Sequence, residues 1–198
     1  SKYLYAGFYC EDDDIWTHYK KRDDPIFKEE VIEIFVDANR NFRDYVELQV
    51  SPAGVIFDSF FVKYRWPRPW GQLSYNSGML VRVHHQGTLN NPRDRDKAWT
   101  VEMRIPLAKL GPAHHMPPLN GDNWLINFYR FERSRRSQGE ALAWSPITTS
   151  SRGGDFHQIR RFGTLRFSTE LFVAPKTSIV NKVIKKRQIT PPPRRKRP

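Results

Sequence analysis

The chain has one cysteine, Cys10, in 198 residues, which excludes an internal disulfide framework and leaves its redox compartment open. It has no apolar run of about eighteen residues, so a transmembrane helix is excluded. There is no Gly-rich phosphate loop, no nucleophile elbow and no zinc-ligand spacing. A signal peptide is also missing. The sequence opens on Ser1 and runs at once into an apolar stretch, as expected of an excised or processed fragment. Acidic residues are absent from one region. Residues 176–198 hold nine of the thirty-three basic residues and no acid, so residues 1–175 carry only three of the twelve net positive charges. Any argument for an anionic partner therefore concerns the tail and not the domain.

Aromatic residues are plentiful at 14%, with six tryptophans, against a hydrophobic content of 38%. Short apolar runs alternate with Pro, Gly, Asn and Asp, a pattern of strands and turns with hardly any helix. The organising stretch is Val31-Ile32-Glu33-Ile34-Phe35-Val36-Asp37. Alternation puts Ile32, Ile34 and Val36 on one face and Val31, Glu33 and Phe35 on the other. Both faces are apolar, which predicts a central strand. A carboxylate on such a strand is costly unless it is paired or meets a ligand at a concave surface.

Strands are further expected at Lys2–Cys10, Asp44–Val50, Val55–Val62, Leu80–His85, Ala98–Ile105, Asn123–Arg133 and Phe162–Phe167. Along Asp44–Val50, Val46, Leu48 and Val50 face inward, while Tyr45, Glu47 and Gln49 face the other way. Ser51–Gly54 reads as a hairpin turn, and Pro106–Gly111 as one helical turn stopped by glycine. Residues 64–71 (YRWPRPWG) form a proline-stiffened loop carrying Trp66 and Trp70. The whole predicts an all-β protein with little helix: a β-sandwich of two antiparallel sheets, of jelly-roll or immunoglobulin-like type. The sandwich spans residues 1–172, and 173–198 is a basic, proline-bearing tail expected to be disordered.

The motifs YLYAGFYCEDDDIW, DDPIFKEEVIEIFVD, DYVELQVSPAGVIFDSF, AWTVEMRIPLAKLG, GDNWLINFYRFER, WSP and FHQIRRFGTLRFS, in this order, resemble the family 9 carbohydrate-binding module in its single-domain branch. The likeness runs from about residue 3 to residue 168. It implies a non-catalytic sugar-binding sandwich, often carried by xylanases and other polysaccharide-degrading proteins, with structural calcium in many members. A secreted or periplasmic protein is favoured on the same ground. Known members hold the reducing end of a glycan between two aromatic rings. Where they place tryptophan six residues before the strand glutamate, this chain has Phe27 before Glu33. Where the second tryptophan precedes Phe-Gly by six residues, it has Phe156 before Phe162-Gly163. The family's arginine falls at Gln49 and a further polar contact at Tyr129. The family also has a few dozen residues before the first strand seen here, so one sandwich edge is missing or supplied otherwise.

A sugar ring offers an apolar C–H face and a rim of hydroxyls, so it needs a flat aromatic partner and polar groups of two-pronged reach. The candidates are Phe27 and Phe156 as platforms and Glu33 as hydroxyl acceptor. Gln49, Tyr129, Arg130 and His157 are secondary contacts, and Trp66 and Trp70 are possible extensions of the platform. The alternative is that the two phenylalanines are rim-of-core aromatics and Glu33 pairs with an arginine. Glu33 and Glu47 are also the pair a glycoside hydrolase would need, though nothing in their spacing demands it. His84-His85 and His114-His115 do not suit chelation, because neighbouring strand residues point to opposite faces. Asp12, Asp13 and Asp14 offer oxygen ligands for calcium; otherwise no cofactor is expected. The tail suits an anionic partner such as nucleic acid or a lipid surface, or a linker to another domain such as a glycoside hydrolase.

Overall fold

The computed structural model describes residues 2–133, 135, 139–150 and 153–170. The predicted tail, 173–198, lies outside the described residues. Among the described residues eleven strands run in chain order: β1 Tyr3–Glu11, β2 Val31–Asp37, β3 Tyr45–Val50, β4 Ile56–Phe61, β5 Leu80–Gln86, β6 Ala98–Pro106, β7 Asn123–Glu132, β8 Glu140–Ala143, β9 Thr149–Ser150, β10 Gly153–Gly154 and β11 Gly163–Arg166. The helical content of the described residues is three single 3-10 turns, at Ile26–Lys28, Leu107–Lys109 and Ile159–Arg161. The expected turn after Pro106 is the second of these.

Two antiparallel sheets form the sandwich. The smaller has the order β1-β6-β5, and the larger β11-β7-β2-β3-β4 with β8 added to β7. Every residue of β2 is buried, as its two apolar faces predict for a strand inside the sheet. Ile32, Ile34 and Val36, with Val46, Leu48 and Val50 of β3, meet Trp99, Val101, Met103 and Ile105 of β6 in the main core. Large β-branched and aromatic side chains at period two make this layer self-selecting: a one-residue slip would turn every one of them to the other face.

The opposite face of the large sheet builds a second layer, from Phe35, Tyr45, Phe61, Leu125 and Tyr129, closed over by Ile159 and Phe162. In that layer the register places Glu33 opposite Gln49 of β3 on one side and opposite Tyr129 of β7 on the other. Three residues from three separate sequence segments thus stand in one row.

β8 lies where the sequence suggests only a loop. Glu140-Ala141-Leu142-Ala143 has no β-branched or aromatic residue, and its pairing with Tyr129–Glu132 of β7 comes from the sheet and not from local preference. Gly163 explains the Phe-Gly motif at the last strand. A Cβ there would meet the Trp144 indole, 3.2 Å from Cε3 and closer still to two further ring atoms. Only glycine lets that indole lie on β11.

Candidate functional site

On the outer face of the large sheet lies a cavity of about 240 Å³, lined by Phe27, Glu33, Glu47, Arg65, Trp70, Asp155, Phe156 and His157 among others. Its floor is strand and its walls are loop. β2 and β3 bring Glu33 and Glu47 to the floor as diagonal neighbours, since Glu33 pairs with Gln49 and Glu47 with Phe35. The 3-10 turn before β2 brings Phe27. The loop after β4 brings Arg65 and Trp70, and the segment before the last 3-10 turn brings Asp155, Phe156 and His157.

The loop after β4 is pressed onto its strand. Ser59 Oγ donates to the Trp70 carbonyl at 2.7 Å, and Gln72 N to the Phe60 carbonyl at 2.9 Å. Gly71, at φ 67°, makes this approach possible, because a Cβ there would stand 2.9 Å from the Phe60 carbonyl oxygen. Arg65 bridges the two walls: its Nη2 donates to Asp155 Oδ1 at 2.8 Å, and Tyr64 Oη donates to Asp155 Oδ2 at 2.6 Å.

The floor is electrostatically unusual. Glu33 is 3% exposed and its side chain makes no hydrogen bond among the described residues. Burial, with the Glu47 charge beside it, holds its carboxyl well above the ordinary range, and Arg65 only partly opposes this. Burial pushes Glu47 up to about 8, against the opposing effects of the Gln49 amide and Arg65. The Gln49 amide donates to Glu47 Oε1, while Gln49 Oε1 is buried with no partner among the described residues. His157 is held neutral: burial first, then the Arg65 charge, lowers it to about 3. Its Nδ1 lies 2.6 Å from Tyr45 Oη. With Arg65 paired to Asp155, the cavity presents a largely neutral, hydroxyl-matching surface.

Each predicted platform already has a ring stacked on one face. Phe27 stacks on Trp70, and Phe156 stacks on Tyr129 with centroids 4.2 Å apart and planes at 9°. Tyr129 also donates from Oη to the Phe156 carbonyl at 2.8 Å, so it supports Phe156 from behind and does not line the cavity. Trp66 stands apart, 52% exposed under Lys63. Arg130, the register partner of Ile32, projects to the opposite side of the sheet, as strand alternation requires. There it donates to the Glu11 carbonyl at 2.7 Å and to Asp12 Oδ2 at 3.1 Å. Sequence reasoning missed Arg65 and Asp155. Arg65 sits between the aromatics of YRWPRPWG, and Asp155 immediately precedes Phe156, but nothing local ties the two together.

The acidic loop divides. Asp13 pairs with Arg95 and Asp14 with Arg135. Asp12 instead converges with Glu30 and Glu132, with ligand oxygens all within 4.8 Å of one another. Both Glu30 oxygens are buried and accept from no donor among the described residues; a proton on Glu30 is shared with Asp12. Burial and the neighbouring Asp12 charge push Glu30 up to about 10. With Glu30 deprotonated, as a bound cation requires, the three carboxylates and the Arg130 guanidinium carry a net charge of minus two, which a divalent cation neutralises. Oxygen-only donors suit calcium.

No curated protein matches the chain. Solved structures share its fold. A candidate carbohydrate-binding protein from Bacteroides uniformis is 18% identical, with a TM-score of 0.57, over 83% of this chain and 71% of that one. A carbohydrate-binding module of family 9 from Caldicellulosiruptor kristjanssonii, in complex with cellotriose, is 16% identical with a TM-score of 0.50, over 87% and 75%. The same organism's module in complex with glucose gives 15% and 0.51 over the same shares. The model of carbohydrate-binding family 9 matches residues 2–167, nearly the whole described sandwich. The chain belongs to carbohydrate-binding family 9, a family of non-catalytic binding modules.

Proposed function

We propose that the outer-face cavity binds one terminal sugar residue of a neutral oligosaccharide or polysaccharide of plant type, and that the chain serves as an accessory to polysaccharide breakdown. The observation that carries the reading is Glu33: a carboxyl 3% exposed, with no hydrogen bond among the described residues, at the floor of a cavity walled by aromatic rings. A sugar hydroxyl supplies the missing partner, and the cost of leaving such a group unpaired makes it a strong discriminator for ligands that satisfy it. The Phe27–Trp70 and Phe156–Tyr129 pairs offer rigid rings for the C–H face of the sugar. The cellotriose and glucose complexes of the Caldicellulosiruptor module support the same ligand class. In this reading the partner is a glycoside hydrolase such as a xylanase, acting outside the cytoplasm. Among the described residues no helix is long and apolar enough to cross a membrane.

Calorimetric titration with cello-, xylo- and manno-oligosaccharides, each also with its reducing end converted to an alditol, tests this. Binding that is lost in the alditol and in Glu33→Ala, with the domain still folded, is the expected result. Unchanged affinity in Glu33→Ala would sink the site.

We also propose that Asp12, Glu30 and Glu132 hold a structural calcium ion. Glu30 lies midway in sequence between Phe27 and Glu33, so an ion there would fix the segment that carries both.

A further inference from the structure

Five non-glycine residues among those described have left-handed backbones: Asp23, Arg40, Phe42, Arg65 and Asn90. Aspartate and asparagine tolerate that region because their short side chains bond locally. The other three have no such excuse, and such strain persists only where the surroundings over-determine it, commonly at ligand sites. All three line cavities. Arg65, at φ 48°, lines the one described above. Arg40 at φ 59° and Phe42 at φ 58° line a second cavity of about 400 Å³ at one end of the sandwich.

This second cavity is formed by the loop between β2 and β3 and by the residues leading into β7. The loop is braced on every side. Phe42 N donates to the buried Asp37 carboxylate at 2.9 Å, Asn41 N to Asn39 Oδ1 at 3.0 Å, and Asp44 N to Asn41 Oδ1 at 3.1 Å. The bracing presents Arg40 outward and leaves the Phe42 ring 42% exposed. Arg160 stands over that ring at 5.3 Å. Arg40, a lining residue, has no ion-pair partner among the described residues, whereas the acid on the wall, Asp122, is engaged by His115, by Leu119 N and by the charge of His114. Asn123 donates to the Gly121 carbonyl at 2.8 Å, which leaves its Oδ1 for a donor from outside.

We propose that this cavity is a second carbohydrate site, selective for a sugar residue that carries a carboxylate. Phe42 meets the C–H face of the ring, Arg40 meets the carboxylate, and Asn123 Oδ1 accepts a hydroxyl. Bidentate guanidinium–carboxylate pairing supplies the preference for an acidic sugar over a neutral one. The site is independent of Glu33 and of the neutral-sugar reading.

The test is calorimetric titration of the full chain with trigalacturonate, cellotriose and inorganic phosphate at about 0.15 M salt, where long-range attraction to the basic tail is screened. Wild type is compared with Arg40→Ala, Phe42→Gly and Glu33→Ala. Each of the first two is expected to weaken trigalacturonate binding at least about tenfold, the loss of one good contact, and to leave cellotriose unchanged. Glu33→Ala should leave trigalacturonate binding intact. Phe42→Gly, which removes the backbone strain, should melt no lower than wild type while still losing the ligand. Three results would overturn the proposal: no heat with trigalacturonate, trigalacturonate binding indifferent to both loop substitutions, or phosphate binding as tightly with the same dependence on Arg40.

Discussion

Trp70 lies flat against Phe27, with ring centroids 4.8 Å apart and planes 20° apart. Phe57 meets the same phenylalanine edge-on at 5.6 Å. One platform ring is therefore held from two sides by strand and loop, and part of its surface is already spent on protein. The wall presented to a ligand is the Phe27–Trp70 pair and not a single ring.

Trp70→Ala should consequently act on both stability and binding. Loss of a stacked pair costs about 0.5–1.5 kcal/mol beyond the area lost. Since Trp70 is 42% exposed, more than half of its surface is buried and the area lost adds to this, for a total of about 2–3 kcal/mol, the upper part of the range usual for single substitutions. Sugar affinity should fall, because the cavity loses one wall. Urea melts and titration with cello-oligosaccharides check the two effects; a variant that binds as tightly as wild type would show that Trp70 only shields Phe27.

The buried carboxyls predict a pH profile. A carboxyl raised in the folded state holds its proton more tightly there than in the unfolded chain. Its stabilising contribution is whole below the ordinary value of 4.5 and is lost as pH rises through the folded value, about 8 for Glu47. His157 acts at the other end. Lowered to about 3, it contributes stability above its ordinary 6.5 that is lost as pH falls through the folded value. The melting temperature of wild type should thus decline on both sides of a mildly acidic to neutral optimum. Glu47→Gln should flatten the alkaline decline in part. Glu30, raised to about 10, keeps a residual slope of the same sign. Melting curves from about pH 5 to pH 9 read this out, and an alkaline limb identical to wild type would contradict the assignment of Glu47.

Much of this floor was legible in the sequence. Alternation alone puts Glu33 on the outer face of β2 and Glu47 with Gln49 on the outer face of β3, and the register then aligns Glu33, Gln49 and Tyr129. The walls were less legible. Residue spacing in a strand fixes direction, but spacing in a proline-rich loop does not, so Trp66 and Trp70 look alike in sequence although only Trp70 lines the cavity. Arg65 and Asp155 are ninety residues apart, and only the closed fold makes them partners. Arg130 lies away from the cavity for a simpler reason. It follows Tyr129 on one strand, so the two cannot share a face. β8 was missed because its pairing is imposed by β7.

Calcium should raise the melting temperature if Asp12, Glu30 and Glu132 hold it. A ligand present at a hundred times its dissociation constant stabilises the folded state by about 2.7 kcal/mol, worth about five to ten degrees in a domain of this size. Glu30 holds a proton without the ion, since burial raises it to about 10. Binding should therefore release a proton, and the calorimetric heat should change with the ionisation enthalpy of the buffer. Glu30→Gln should abolish both the thermal shift and the proton release. An equal calcium shift in wild type and variant would place the ion elsewhere.

Gly71 joins the fold to the site most directly. Its backbone, at φ 67°, turns the loop after β4 back onto the strand, and a Cβ there would press on the Phe60 carbonyl at 2.9 Å. Gly71→Ala carries both penalties, an unsuitable backbone region and a contact with main chain that cannot swing aside, so a cost above about 1 kcal/mol is expected. The strain is relieved most readily by lifting the loop, because Ser59 Oγ to the Trp70 carbonyl and Gln72 N to the Phe60 carbonyl are the bonds that tie it down. Lifting it withdraws Trp70 from Phe27 and Arg65 from Asp155 together. Affinity for a neutral sugar should then fall further than in Trp70→Ala, although Gly71 does not line the cavity. Binding to the second cavity, whose lining includes no residue of this loop, should be unaffected. Titration of Gly71→Ala with cellotriose and with trigalacturonate makes the comparison in one preparation: loss of both ligands would mean that the domain has unfolded, and loss of neither would mean that the loop does not hold the wall in place.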